Sequence, residues 1–150
     1  MTAKEYLLQY RDAVRRATAA QDHLDELRAM AERITPNYGS SGGGGKQTGD
    51  KLGAAVARLV DAEEKVDAEI ELMTATAREV RKTIEAVPEP YSTLLYERYI
   101  NGKTWEQIAV TLNYSFVHVV HRLHPAALRA VQAVIAEVTG QRNAPLRSRS

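Results

Sequence analysis

The chain of 150 residues contains no cysteine. That excludes a disulfide framework and any thiolate metal site. Aromatic residues are 6% of the total, with a single Trp and a single Phe, which is thin for a large globular core. No stretch approaches the run of about 18 apolar residues that a membrane span requires, and no basic segment leads into an apolar one as in a secretory signal. The sequence therefore predicts a soluble, cytoplasmic protein with no membrane partner. A glycine run precedes Lys46, but it is not a phosphate-binding loop. Ser40 stands where the first glycine should, Gln47 replaces the Ser/Thr that would hold magnesium, and a helical pattern rather than a strand comes before it. Nothing brings a nucleophile to a base at a recognisable spacing, so no catalytic residue, metal ligand or cofactor is expected.

Net charge is also small, +1 overall, but unevenly spread. Residues 1–90 carry 13 Lys+Arg against 16 Asp+Glu, giving −3, whereas residues 91–150 carry 7 against 3, giving +4. A basic excess is the electrostatic footprint of a phosphate partner, and the basic part holds the most informative stretch, Lys103 to Leu123. Thr104 with Gln107 three residues on forms a capping box for a first helix. Trp105, Ile108 and Leu112 then share one helical face, with the small Ala109 beside them. Asn113 tolerates the left-handed conformation of a tight turn. Ser115 caps a second helix whose inward face is Val119 and Leu123. This is the spacing of a helix-turn-helix, a motif that places its second helix in a DNA major groove.

RYINGKTWEQIAVTLNYS, followed by VHRLHPAALRAV, resembles region four of bacterial sigma factors, over residues 91–138. The whole chain, more loosely, resembles small phage and prophage sigma-like regulators of the ArpU and RinA type. The likeness implies a DNA-binding transcriptional regulator with double-stranded DNA as partner, able to act with RNA polymerase. Ser115, Val119 and Arg122 match the Ser-x-x-Thr-Val-x-x-Arg run of region four, while His118 stands where Thr is usual. Val117 and Val120 are apolar where polar or small residues are expected, and Pro125 should kink or end the helix.

The rest of the chain reads as helices. Thr2 with Glu5 is a second capping box, opening a helix whose apolar positions include Leu7, Tyr10, Val14, Ala17, Leu24, Leu27, Ala31 and Ile34. Residues 35–49 have the composition of a flexible linker. From about Asp50 to Val87, apolar residues recur at steps of four and three: Leu52, Val56, Leu59, Val66, Ile70, Met73, Ala77, Val80, Ile84 and Val87. Glu63 is the polar exception, and Glu69 is expected on a solvated face. The expected fold is all-α. Residues 2–87 form a long antiparallel helical hairpin, or coiled coil, and residues 90–139 a helix-turn-helix head with an apolar set of its own. Residues 140–150 form a disordered basic tail beyond a helix stop at Gly140. If Ile34 packs near Leu52, residue i faces about 86 − i, which brings Gln21 near Glu63 as a register-fixing polar pair. Self-association through the coil is the remaining partner expectation.

In the second helix of the motif, His118, His121 and His124 lie at i, i+3 and i+6. They span too much of the helix to complete one metal shell. The base-reading candidates are Phe116, Val117, His118, His121 and Arg122. Lys103, the helix N-termini at Thr104 and Ser115, and Arg129 are the phosphate-gripping candidates. Two other functions fit the pattern: a protein-interaction module of the transcription machinery whose valine-rich helix docks on a protein, and a small DNA-packaging subunit that oligomerises through the coil.

Overall fold

The computed structural model describes residues 1–34 and 45–143, and over these the protein is all-helical. Helix α1 spans Ala3–Ile34 and α2 spans Gly45–Glu85. After Pro88 and Pro90, α3 (Tyr91–Leu95) runs directly into a π-helical turn, Tyr96–Ile100. Helix α4 is Trp105–Leu112. Helix α5 (Phe116–His118) continues through a second π-helical turn, Val119–Leu123, into α6 (His124–Asn143). None of the helices among the described residues is long and apolar enough to cross a membrane.

The helix starts follow local side-chain chemistry. Thr2 Oγ1 accepts from the Glu5 N–H, and the Glu5 carboxylate accepts from the Thr2 N–H at 2.8 Å. This satisfies two of the donors that a helix start leaves unpaired. The same hydrogen bond from the Thr2 backbone is the main reason the Glu5 carboxyl is held below its ordinary pKa. At α3 the Glu89 carboxylate accepts from both the N–H and the hydroxyl of Thr93.

Three expectations about helix ends are corrected. Helix α2 begins at Gly45, so the last five residues assigned to the linker are its opening turn; residues 35–44 lie outside the described residues. Gly140 does not stop α6, which reaches Asn143, and the remainder of the basic tail again lies outside the described residues. Pro125 does not end the helix either. A proline has no N–H to donate, and in a regular helix its ring meets the carbonyl four residues back. Here the turn before it is widened, with the His124 N–H reaching the Val119 carbonyl five residues back. The chain stays helical through the proline.

The molecule divides into two compact units. A terminal unit comprises Met1–Arg11 and Ala75–Ser150, and a central unit comprises Asp12–Thr74. The boundary expected at residues 87–90 thus falls inside the terminal unit. Its core joins Ala3 and Leu7 of α1 with Val80 and Ile84 of α2 and Val87 just beyond it. To these it adds Leu94, Leu95, Tyr99, Ile108, Ala109, Val119, Leu123, Ala127 and Val131. Polar contacts fasten the start of α1 there as well. The Ala3 N–H donates to Gln132, the Tyr6 hydroxyl pairs with Thr83 at 2.9 Å, and Arg11 donates to the Arg98 carbonyl at 3.0 Å.

The central unit is built differently. Its buried apolar cluster is Leu24, Ala62 and Val66, with Ala20, Leu27 and Leu59 packed around it. Arg16 meets Glu69 and Arg28 meets Glu63, so rising numbers on α1 meet falling numbers on α2. The seam on α2 steps through Ala55, Leu59, Ala62, Val66, Glu69 and Met73, while Val56, Glu63 and Ile70 are exposed. The three-and-four period expected from the sequence is present and keeps Leu59, Val66 and Met73, but its alternate positions fall one residue earlier, at Ala55, Ala62 and Glu69. The expected Gln21–Glu63 polar pair does not form. Gln21 donates to Asp25 on its own helix, and Glu63 pairs with Arg28. The polar residue on the seam is Glu69, only 4% exposed, contrary to the solvated face expected for it. Lys65 and Arg16 reach its Oε1 at 2.9 and 3.1 Å, and Oε2 has no partner.

Candidate nucleic-acid interface

Four local devices set the geometry of the stretch around α4 and α5. Gly102 takes a positive φ of 68°, and the Lys103 N–H closes back onto the Glu97 carbonyl at 2.9 Å. That turns the chain out of the π-helical turn after α3. Thr104 and Gln107 then form the expected capping box, each side chain accepting from the other's backbone N–H at 3.2 and 3.0 Å. At the far end Asn113 sits in the left-handed region with φ 59°, and the Tyr114 N–H bonds the Ala109 carbonyl. Asparagine tolerates that conformation better than most residues. Ser115 Oγ accepts from the His118 N–H at 3.1 Å, which starts α5.

Packing fixes which faces remain outside. Ile108 and Ala109 of α4 are buried, as are Val119 and Leu123 beyond α5, so the two helices meet through these side chains. Ala109 is small where the helices approach, as the sequence reading expected. Trp105 is half-buried against the same core. The Arg98 guanidinium lies 4.4 Å above its ring, and His124 packs against it at 4.5 Å.

Lys103, Thr104, Ser115, Phe116, Val117, His121, Arg122 and Arg129 are exposed, and His118 is half-buried with its ring 5.0 Å from Tyr114. Thr104 and Ser115 are exposed at helix starts with their side-chain oxygens spent on capping, so each would offer a partner mainly its backbone. Phe116, Val117, His121 and Arg122 lie within seven consecutive residues. Arg129 is seven residues further on, about 10 Å along a helix axis. The structure thus brings together the base-reading candidates more closely than the phosphate-gripping ones.

The three histidines separate. His121 is exposed, whereas His124 turns inward and its Nε2 pairs with the Tyr99 hydroxyl at 2.8 Å. Burial, followed by the nearby charges of Lys4 and Arg98, lowers the His124 pKa to about 4, so the ring is neutral at pH 7. Burial likewise raises the Tyr99 hydroxyl above its usual value, against smaller opposing effects of Arg98 and Arg11.

Sequence reading missed two apolar residues on the surface. Val110 is 81% exposed, and Tyr114 in the turn is also exposed, beside Phe116 and Val117 at 63%. The signal for Val110 was available: it lies one residue beyond Ala109, off the face set by Trp105, Ile108 and Leu112. No family model, no curated protein and no solved structure matches the chain, so a functional reading must come from these residues and their geometry.

Proposed function

We propose that this protein is a DNA-binding transcriptional regulator of the phage or prophage type, with α4 and α5 serving as a sigma region four-like helix-turn-helix. The observation that carries the reading is the left-handed Asn113 between a capped α4 and a Ser115-capped α5, with Val119 and Leu123 inward and Phe116, Val117, His121 and Arg122 outward. A helix so presented can enter a major groove, where Arg reads guanine and apolar side chains meet thymine methyls. Lys103 and the first amides of α4 and α5 would hold phosphate. In this reading the antiparallel stretches of the central unit are a coiled-coil hairpin. Its exposed Val56, Val60 and Ile70 would support self-association.

Binding of double-stranded DNA from around its own gene, measured across a salt series with and without RNA polymerase, tests the reading. Arg122→Ala should cost about 1–3 kcal/mol on the preferred site and blur its sequence preference. Lys103→Ala should weaken specific and random DNA alike and reduce the salt slope by about one unit. Both variants should melt like the parent, since both residues are exposed. The exposed Val110, Tyr114, Phe116 and Val117 favour a second reading, a module that docks on a protein of the transcription machinery. That reading takes over if neither substitution changes DNA affinity at low salt.

A further inference from the structure

We propose that a cavity in the terminal unit, lined by Lys4, Arg11 and Arg98, is a binding site for a phosphate-class oxyanion. It encloses about 290 Å³, and its lining includes those three cations, Tyr99, Trp105 and His124, but no carboxylate. Among the described residues none of the three cations takes part in an ion pair. Like charges that face one cavity without an acid raise each other's energy, and an anion placed among them relieves it.

The two guanidinium groups are already positioned. Arg98 stacks on Trp105 at 4.4 Å and donates from one nitrogen to the Lys103 carbonyl. Arg11 donates from one nitrogen to the Arg98 carbonyl. Each guanidinium has five N–H donors, so most of both forks remains for an oxyanion, which they match in geometry. Lys4 adds a flexible point charge. His124 stays neutral beside them, so it does not add to the repulsion and can donate or accept a hydrogen bond. With Arg98 seated on Trp105, the cavity recognises charge rather than a stacked base. The site does not depend on the DNA-binding reading.

The chain's single tryptophan lines the cavity, so its fluorescence reports occupancy in the full-length protein. Sodium phosphate should give a saturable change that sodium chloride at matched ionic strength does not. Lys4→Met should raise the apparent Kd for phosphate about tenfold, the size of one lost charge-assisted contact, without shifting Tm, because Lys4 is exposed. Arg11→Gln should act in the same direction. A duplex distinguishes the sources of the phosphate. Equal weakening of duplex binding by Lys4→Met identifies a DNA backbone phosphate, and unchanged duplex affinity identifies a free small oxyanion such as inorganic phosphate. The proposal is overturned if phosphate and chloride act alike, or if Lys4→Met keeps the parent's phosphate affinity.

Discussion

The terminal and central units use the same helices, α1 and α2, in different ways. In the terminal unit the ends of both helices enter a fully apolar core shared with α3 to α6. In the central unit the same two helices bury only Leu24, Ala62 and Val66 as a cluster, and they also bury a carboxylate, Glu69. A core of the first kind gains free energy from every methylene it removes from water. A seam of the second kind gives up some of that gain for a charged group whose partner on the other helix, Arg16, is met in only one register. The terminal unit should therefore fail through lost packing, and the central unit through lost charge pairing.

The largest effect expected from this difference is at Leu7. It lies far in sequence from most of the core it enters, yet it is fully buried. Leu7→Ala should cost about 2–5 kcal/mol and should lower the melting transition seen by Trp105 fluorescence. A fragment starting at Glu89 lacks Leu7, Val80, Ile84 and Val87, and circular dichroism should show no cooperative melting. A cooperative fragment would mean that α3 to α6 close a core by themselves, as the sequence alone had suggested.

That expectation shows where sequence reading works. Thr104 with Gln107, Asn113, Ser115, and Thr2 with Glu5 were all legible, because each acts on backbone groups within a few residues of itself. Ile108, Val119 and Leu123 were legible too, since helical spacing sets their face. The share of α1 in the terminal core was not, because the prolines at 88 and 90 mark a chain break and say nothing about which core the preceding stripe enters. The π-helical turn before Pro125 was hidden for a related reason: tertiary packing of Val119 and Leu123 on one side and Ala127 and Val131 on the other holds the helix together across a residue that locally disfavours it. The cation-lined cavity had no sequence signal at all. Lys4, Arg11 and Arg98 look like ordinary surface charges until the fold gathers them.

The two units should also separate by pH. His124 has a folded pKa of about 4, below the ordinary histidine value of 6.5. A depressed histidine pKa means that the unfolded chain binds the proton more readily, so stability is retained above pH 6.5 and lost as pH falls from 6.5 toward 4. The Trp105 signal should track this loss, and His124→Gln should flatten it. Glu69 has its pKa lowered, first by the hydrogen bond from Lys65 and then by Arg16, with partial desolvation opposing them. Its contribution is present above about pH 4.5 and is lost as pH falls below that through the lower folded value. In the central unit the acid limb should thus start roughly two pH units lower than in the terminal unit, as amide exchange of residues 12–33 and 50–74 would reveal. A single transition shared by both units would break the contrast.

Substitutions at Glu69 sharpen it further. Glu69→Leu removes a carboxylate whose Oε2 is buried without a partner, and replacing a buried ion group with an apolar one is often neutral or stabilising. Glu69→Leu should leave the central unit at least as stable as the parent, while losing its acid limb. Replacing both Arg16 and Lys65 by Met should do the reverse, leaving a buried carboxylate unpaired. Marked destabilisation by Glu69→Leu would show that the carboxylate is needed for more than register.

The smallest effect is expected at Glu63, and it bears directly on register. By the spacing of Leu59 and Val66 alone, Glu63 occupies a seam position, and its removal from a seam should matter. In the structure it is one residue past the buried Ala62, and its side chain is 53% exposed. Its partner Arg28 is 51% exposed at 3.6 Å, a geometry worth about 0–1 kcal/mol in water and less in salt. Glu63→Ala should therefore shift stability by no more than about 0.5 kcal/mol, with helix propensity offsetting part of the lost pair. Ala62→Glu should be far more costly, because it puts a charge into the contact made by Leu24 and Val66. Urea unfolding of the two variants orders them directly. A large loss at Glu63 with tolerance at Ala62 would return the seam to the frame in which Glu63 faces α1, and would remove Glu69 from its buried place.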